Sequence, residues 1–451
     1  MKILIAGCGE VGETLAYELS QEGYDLTLMD SDPHVLETGM ERFDVMSVQG
    51  NCASVKSLLR AGIKKCNLLI ACTGSDELNL LSCLTARRLN PKLHTIARIR
   101  NPEYMEQVYD MKDAFGISMS FNPERDAATE IERLIKYPGF LSRETFMGGR
   151  AEVAELRLDE QSPLCGAALF SLDAILKRRV LVCAVLRDGQ AIIPDGRFIL
   201  EEGDRIFVTA PSDNLAVMLK SLGIVTKRAR RIVIAGGGTM SYYLAKNLKN
   251  SEVMIIEREL ERCRELSELL PRVTVVNGTV RNHSFLESEG VTKADALISL
   301  TELDELNVIT SLFGSRHKLP LIITKIGKPE NAGFIENLPL GSIISPGRFS
   351  CNAIVSYVRA MRNRDGAATA IHNIADGQVE AMQFTVTPDT MHTNTPLKQI
   401  RLKKNVRLAC IARGNEIVIP NGDSFYQEGD SVIVTSAKDD LKIFDLNDIF
   451  A

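Results

Sequence analysis

Two glycine-rich segments of the sequence have the spacing needed to bind phosphate through backbone amides. The first follows the apolar run ILIA and precedes a helical pattern. In a strand, turn and helix of this kind, the first glycine permits the tight turn and the second admits a pyrophosphate. The third lets the helix pack closely on the strand, and the N-terminal amides of the helix attract negative charge. The residues of this segment are Gly7, Cys8, Gly9, Glu10, Val11 and Gly12.

An acidic residue completes the first motif. Asp30 ends the next apolar run, at the distance from Gly7 where a carboxylate accepts hydrogen bonds from a ribose. Ser31 and Asp32 follow, and this extra negative charge would repel a 2′-phosphate. The pattern therefore predicts a site for NAD(H), or for the unphosphorylated adenosine ribose of ATP or ADP.

A second copy of the motif lies about 229 residues further on. It keeps two glycines but carries Ser241 at the third position, and Glu257 takes the place of the ribose-binding acid. Serine is small and could still let the helix pack closely on the strand. The second copy is therefore either a retained nucleotide site or a structural remnant, and both interpretations remain open. The predicted ligand residues of this copy are Gly236, Gly237, Gly238, Thr239, Met240 and Glu257.

Further candidates follow the later strands, at the carboxyl edge where such sheets bind ligands. Arg98 could contact phosphate through its guanidinium, although an ordinary surface salt bridge is the alternative. Its counterpart is Lys325. The polar residues at 76–79 and 304–307 begin helices, and we expect them to cap those helices. The remaining predicted ligand residues are Asn51, Cys52, Thr73, Gly74, Thr301 and Glu302.

The elements that position these residues occur twice. The segments at 69–79 and 97–103 have counterparts at 297–307 and 324–330, in the same order and at nearly constant offset. Apolar strands at 3–7, 26–30, 68–72 and 95–99 alternate with helices at 13–21 and 77–89. Fully apolar strands separated by helices predict an α/β fold with a doubly wound parallel sheet.

Each α/β segment is followed by a different pattern. Alternating residues and Asp-Gly or Asn-Gly turns around 151–220, repeated around 382–434, predict a small α+β domain. Helices at 123–137 and 348–361 connect the parts, and their apolar faces suit either core packing or assembly between subunits. Linkers are expected near 139–149, 225–231 and 363–370. The predicted segments are 1–122, 123–143, 144–228, 230–347, 348–367 and 368–451.

Composition narrows the function. The chain has 451 residues, a net charge of −5 and 45% hydrophobic residues, which gives no basic footprint for nucleic acid or lipid. No apolar run reaches the roughly 18–20 residues that cross a bilayer. The ten cysteines lack C-x-x-C spacing and the six histidines are scattered, so we expect buried free thiols and no metal site. These features predict a cytoplasmic chain.

The segments KILIAGCGEVGETLA, ACTGSDELN and ARIRNPEY resemble the TrkA family, and the resemblance covers nearly the whole chain. It implies tandem RCK-N and RCK-C domains, with the RCK-N domains Rossmann-like. It also implies a peripheral regulator that binds NAD(H) or ATP/ADP and is not an enzyme. Such subunits assemble as rings and dock on a TrkH-type membrane potassium channel subunit. The implied ligand residues are 7–12, Asp30, Thr73, Gly74, Arg98, 236–240, Glu257, Thr301 and Lys325.

Two alternatives stay open. One is a gating ring for another potassium channel or an efflux system. The other is an NAD-dependent oxidoreductase, although the small domains offer no convincing acid–base set and His372 and His392 lie in only one copy.

Overall fold

A computed structural model describes residues 1–42, 45–160, 162–222, 229–327, 338–362, 368–437, 443 and 445–451. The first region alternates strands and helices. Its strands are β1 Lys2–Ala6, β2 Asp25–Asp30, β3 Met46–Gln49, β4 Leu68–Ala71, β5 His94–Arg98 and β6 Met119–Phe121. Its helices are α1 Glu10–Gln21, α2 Pro33–Arg42, α3 Val55–Arg60, α4 Asp76–Leu89, α5 Pro102–Phe115 and α6 Pro123–Lys136.

These strands form one six-stranded parallel sheet in the order β3-β2-β1-β4-β5-β6. The central strands are apolar, β4 along its whole length and β1 after Lys2, because helices cover both faces of the sheet. The order reverses between β1 and β4, so a crevice opens at their carboxyl ends. The first glycine motif follows β1, and Thr73 follows β4.

The second region is mainly antiparallel. Its elements are β7 Ser142–Phe146, β8 Ala151–Arg157, α7 Leu172–Leu176, β9 Leu181–Arg187, β10 Gln190–Ile192, β11 Arg205–Pro211 and α8 Ser212–Ser221. The five strands pair in the order β10-β9-β11-β8-β7.

The third region repeats the first. Its strands are β12 Arg231–Ala235, β13 Glu252–Glu257, β14 Thr274–Asn277, β15 Ala296–Ser299, β16 Leu321–Lys325 and β17 Ser342–Ile344. Its helices are α9 Thr239–Asn247, α10 Leu260–Leu269, α11 His283–Ser288, α12 Asp304–Arg316 and α13 Pro346–Arg362. The parallel order β14-β13-β12-β15-β16-β17 matches that of the first sheet.

The fourth region repeats the second. Its strands are β18 Ala370–Ile374, β19 Val379–Thr385, β20 Val406–Arg413, β21 Glu416–Val418 and β22 Ser431–Ala437, in the order β18-β19-β22-β20-β21. The predicted fold class, two doubly wound sheets each followed by a small α+β part, is therefore confirmed.

Two compact units result from this duplication. One contains Met1–Ile131 and Arg230–Cys351, which include both parallel sheets. The other contains Glu132–Ala229 and Asn352–Ala451, which include both antiparallel sheets. In the second unit the two sheets share an apolar core, with Phe146 and Phe207 from one sheet and Ile374 and Ile433 from the other.

The connecting segments differ in part from expectation. β7 occupies Ser142–Phe146 within the predicted linker at 139–149, where it pairs with β8 and buries Arg143 and Phe146. Most of the linkers at 225–231 and 363–370 lies outside the described residues, but β12 begins at Arg231 and β18 at Ala370. In the predicted connecting helix, Ile131 and Ile135 are 0% and 4% exposed within the single chain, which favours core packing over assembly. No helix in the described ranges is both long enough and apolar enough to cross a bilayer.

Candidate functional site

The first glycine loop is shaped by two close approaches. Gly7 has φ of +99°, and a Cβ there would lie 2.7 Å from the backbone nitrogen of Thr73. A Cβ on Gly12 would overlap the carbonyl oxygen of Gly7. A side chain at either position would therefore separate the loop from β4 or lift helix α1 off the turn.

Gly9 differs because it faces open space. It is the N-cap of α1, and no side chain among the described residues caps the helix. Apart from its chain neighbours, no described atom lies within 4 Å of its ideal Cβ position. Helices α3 and α4, by contrast, are capped by the hydroxyls of Ser54 and Ser75. The first amides of α1 are thus without a side-chain acceptor in a place where a ligand's phosphate could approach the backbone.

Asp30 lies beside this loop. Its Oδ2 accepts a hydrogen bond from the backbone nitrogen of Cys8 at 2.8 Å, and its Oδ1 accepts one from Asp32 at 3.0 Å. The carboxylate is thereby fixed at the end of β2, next to the turn. Each carboxylate oxygen can accept more than one bond, so capacity remains for ribose hydroxyls.

The second loop has the same geometry with a different third residue. Gly236 has φ of +102°, and its Cβ would lie 2.9 Å from the carbonyl oxygen of Leu300. Gly238 is the uncapped N-cap of α9 and again faces open space. Ser241 is fully buried, and its hydroxyl donates to the carbonyl oxygen of Gly236 at 2.6 Å. The serine therefore closes the turn with a hydrogen bond instead of breaking it.

Glu257 reproduces the arrangement of the first acid. Its Oε2 accepts from the backbone nitrogen of Gly237 at 2.7 Å, and its Oε1 accepts from Glu259 at 2.8 Å. An additional cation is present here, because Arg262 donates through Nε to the carbonyl oxygen of Gly237 at 2.8 Å. The sequence at the corresponding place in the first loop provides no such arginine.

The ends of β4 and β5 are tied together by one buried amide. The backbone nitrogen and the hydroxyl of Thr73 donate to Asn79 Oδ1 at 2.9 and 2.7 Å. Asn79 Nδ2 donates to the carbonyl oxygen of Arg98 at 3.0 Å. In the second copy Asn307 makes the same bonds to Thr301 and Lys325. The expectation that these residues cap helices is wrong for both asparagines, because their side chains bridge two strands.

Asp76 and Asp304 bind the backbone of a neighbouring loop instead of capping their helices. Asp76 Oδ2 accepts from the backbone nitrogens of Arg100 and Asn101, at 2.8 and 2.7 Å. Asp304 accepts from the backbone nitrogen of Gly327 through both oxygens, at 2.9 and 3.1 Å. Each carboxylate therefore holds the loop after the fifth strand. The repeated DELN segment was the signal for this role, since it follows a strand at the carboxyl edge in both copies.

Arg98 is paired with an acid that the sequence did not single out. Its terminal nitrogen lies 2.5 Å from Glu124 Oε1, and both side chains are 16% exposed. Lys325 Nζ instead lies 3.5 Å from the carbonyl oxygen of Thr301. The surface salt bridge that we considered as an alternative for Arg98 is therefore present, in a largely buried form.

The remaining predicted ligand residues do not form one cluster. Asn51 is exposed and accepts from the backbone nitrogen of Ala53, while Glu302 and Gly74 are exposed. Cys52 is 4% exposed and packs in the apolar core, where its sulfur accepts from Ser82 Oγ at 3.0 Å. The Cys52 side chain is therefore part of the core.

The thiols near the loop are protonated and inert at neutral pH. Burial raises the pKa of Cys8, and burial raises the pKa of Cys72 to about 12. All ten cysteines are free, and nine of them are buried. Within the described ranges no three His, Cys, Asp or Glu side chains are grouped as a metal site would require.

The geometry fits an adenosine nucleotide with a pyrophosphate. Uncapped helix N-termini behind Gly9 and Gly238 suit the phosphates, and the fixed carboxylates of Asp30 and Glu257 suit the ribose. The fold and these loops define a protein with two Rossmann-like sheets, each with a candidate nucleotide site and each followed by a small antiparallel sheet.

Comparisons identify the family. A model of the TrkA-N domain matches residues 3–123 and 232–346, and a model of the TrkA-C domain matches residues 153–223. The "Trk system potassium uptake protein TrkA homolog" of Archaeoglobus fulgidus is 32% identical over 98% of both chains. The "Trk system potassium uptake protein TrkA" of Haemophilus influenzae is 30% identical, over 96% of this chain and 95% of its own. This chain belongs to the TrkA family.

A solved structure has the same fold. The structure described as "GsuK channel bound to NAD" aligns with a TM-score of 0.63 and 18% identity, over 97% of this chain and 77% of that chain. The family is one of regulatory nucleotide-binding subunits and not of enzymes, which removes the oxidoreductase alternative.

Proposed function

We propose that this chain is the nucleotide-binding regulatory subunit of a Trk potassium-uptake system. The observation that carries the proposal is the pair of uncapped helix N-termini, each beside a carboxylate fixed at the end of the second strand of its sheet. The ligand would be NAD(H) or ATP/ADP. The proposed ligand residues are those predicted from the sequence, with Arg98 and Lys325 at the phosphate end.

The proposed mechanism is a shift between two shapes of an oligomeric ring. A nucleotide can shift such an equilibrium only by the difference between its affinities for the two shapes. The ring would dock on the cytoplasmic face of a TrkH-type membrane subunit and alter its gate. The six segment boundaries, from the RCK-N part at 1–122 to the RCK-C part at 368–451, belong to the same proposal.

Nucleotide binding is the first test. The intact chain is titrated with NADH, NAD, ATP and ADP, beside Asp30→Ala and Glu257→Ala. We expect Asp30→Ala to weaken binding about tenfold or more, because a charge-assisted hydrogen bond contributes about 1.5–3 kcal/mol. Glu257→Ala should weaken a second binding event if both sites are used. An intact chain that binds none of the four nucleotides would overturn the proposal.

Partner binding is the second test. The chain is mixed with a purified TrkH-type subunit in liposomes, and potassium flux is measured with and without nucleotide. A nucleotide-dependent change in flux supports the proposal. Failure to bind this subunit, together with co-purification of another potassium channel or efflux protein, would favour the alternative gating-ring function.

A further inference from the structure

An acid and a histidine face each other between the two antiparallel sheets of the second unit. Glu144 lies on β7 and His372 on β18, about 228 residues apart, which is the spacing of the repeat. Glu144 Oε2 lies 2.5 Å from His372 Nδ1, and the two side chains are 13% and 20% exposed. The ring of Phe146 packs edge-on against the imidazole, with 4.7 Å between the ring centroids. The pair is therefore largely removed from water.

Strand pairing shows that Glu144 and His372 occupy equivalent positions. Glu144 lies opposite Val153 of β8, and His372 lies opposite Ala381 of β19. Val153 and Ala381 both belong to the apolar core that the two sheets share. In a pair of identical sheets this position would face a copy of itself, and two glutamates would repel each other. The duplicated chain instead places an acid opposite a base.

The neighbouring charged side chains on the facing surfaces have partners of their own. In the first sheet, Glu155 of β8 accepts a hydrogen bond of 2.6 Å from Arg205 of β11. Asp376, in the turn after β18, accepts from the same guanidinium at 2.6 and 3.0 Å. This arginine is therefore already shared between two carboxylates, and Glu144 depends on His372 for a counter-charge.

The charged side chains on the outer faces of these strands do not face the pair. Arg143 and Glu152 alternate with the inward residues of β7 and β8, and they form an ion pair with each other. Glu380 of β19 points away from the shared core in the same way, and it lies 3.1 Å from Arg359 of α13. These four groups are neutralised in pairs whatever the state of the imidazole.

The contact between Glu144 and His372 gains its strength from charge. His372 Nδ1 makes no aligned hydrogen bond among the described residues, although Glu144 Oε2 is close to it. Histidine is the side chain whose charge ordinarily changes between about pH 5 and 8. A neutral imidazole leaves Glu144 as a largely buried carboxylate without a counter-ion, and such a charge is costly.

We infer that Glu144 and His372 form a pH-sensitive joint between the two antiparallel sheets. The joined sheets hold the proton of His372 more firmly than separated sheets, because only the joined sheets bring Glu144 to the ring. The stability that the pair supplies is therefore present at pH 6 and is lost as the pH rises toward 8. This inference goes beyond the proposed function, under which protons would be a second input beside the nucleotide.

Hydrogen exchange of the full chain, followed by mass spectrometry, tests the joint. The protection of the amides in β7 and β18, corrected for the intrinsic pH dependence of exchange, measures how often these edge strands open. In the wild type we expect about fivefold greater protection at pH 6 than at pH 8. His372→Gln and Glu144→Gln should each remove this pH dependence. The double variant should resemble either single variant, because each substitution already removes the interaction.

His392→Gln is the matched control. His392 lies in the same unit, and its ring contacts Phe450 instead of a carboxylate. This variant should keep the pH dependence of the wild type. If a glutamine variant does not fold, His372→Lys takes its place. It keeps a positive charge at both pH values, so its protection at pH 8 should equal that at pH 6.

Three results would overturn the inference. The first is equal protection of β7 and β18 at pH 6 and pH 8 in the wild type. The second is a pH dependence that persists in Glu144→Gln or in His372→Lys, which would assign it to another group. The third is its loss in His392→Gln, which would indicate a general effect of histidine protonation. None of these measurements uses a nucleotide, so a failure of this inference and a failure of the proposed function are distinguishable.

Discussion

Asn122 Nδ2 donates a hydrogen bond of 3.0 Å to the phenol oxygen of Tyr243, and this bond joins the two parallel sheets of the first unit. Tyr243 in turn donates to the carbonyl oxygen of Arg100 at 2.6 Å. Asn122 is fully buried and Tyr243 is 9% exposed. Asn122 lies two residues before Glu124, and Arg100 lies two residues after Arg98, so this contact links helix α9 to the carboxyl edge of the first sheet.

Tyr243→Phe should destabilise the chain by about 1–3 kcal/mol, because it leaves buried polar groups without the phenol. Urea unfolding measures this loss. Tyr242→Phe is the matched control, since Tyr242 is the adjacent half-buried tyrosine, and we expect a change within about 0.5 kcal/mol. Equal midpoints for the two variants would contradict the role given to Tyr243.

Gly9→Ala and Gly12→Ala should separate binding from folding. The Cβ of Gly12→Ala overlaps the Gly7 carbonyl oxygen, so we expect a loss of about 2–4 kcal/mol in the free energy of unfolding. Gly9→Ala has open space and an ordinary φ of −71°, so its stability should stay within about 1 kcal/mol. Its NADH affinity should nevertheless fall, because the methyl group would occupy the place that we propose for the pyrophosphate. A Gly9→Ala chain with normal affinity would show that the phosphate lies elsewhere.

Asn79→Asp should cost about 3 kcal/mol or more. The substitution replaces the donor to the Arg98 carbonyl with a second carboxylate oxygen, in a position that is fully buried. Asn307→Asp should behave alike, since Asn307 makes the matching bonds. The exposed Asn247→Asp is the control and should change stability by less than about 0.5 kcal/mol. Thermal unfolding of the three variants provides the comparison.

The apolar runs predicted the central strands well and the edge strands poorly. β4 and the part of β1 after Lys2 are buried on both faces, so their sequences are continuously apolar. β3 and β6 were not predicted. β3 has one buried residue among four, and β6 has three residues in all, so neither produces a distinct apolar period.

The parts of the site that lie close together in the sequence could be predicted. The glycine loop and Asp30 have a spacing set by one strand, one turn and one helix, and the repeat supplied the second copy. The bonds of Asn79 to Arg98 and of Arg98 to Glu124 could not be predicted, because they depend on the distance between the ends of different strands and helices. The polar residues themselves were visible, but their partners depend on tertiary structure.

Glu10 connects the first loop with the second sheet. Its carboxylate packs against Gly327, where a Cβ would lie 2.8 Å from Glu10 Oε2. Partial burial raises the pKa of Glu10 above its usual 4.5, Lys325 and Arg98 oppose this shift, and Asp304 and Glu124 add to it. Because the folded pKa exceeds the unfolded one, the charged carboxylate destabilises the fold at neutral pH. That cost is relieved as the pH falls through the raised pKa toward 4.5.

Nucleotide affinity should therefore increase as the pH is lowered from 7 toward the raised pKa of Glu10. A phosphate at the N-terminus of α1 places more negative charge beside Glu10, so binding raises this pKa further and takes up a proton. Calorimetric titration with ADP in two buffers of different ionisation enthalpy measures that proton. Glu10→Gln should abolish the uptake and bind ADP more tightly at pH 7, whereas Glu13→Gln in the same helical turn should retain it. Equal proton uptake by the wild type and Glu10→Gln would assign the pH dependence to another group.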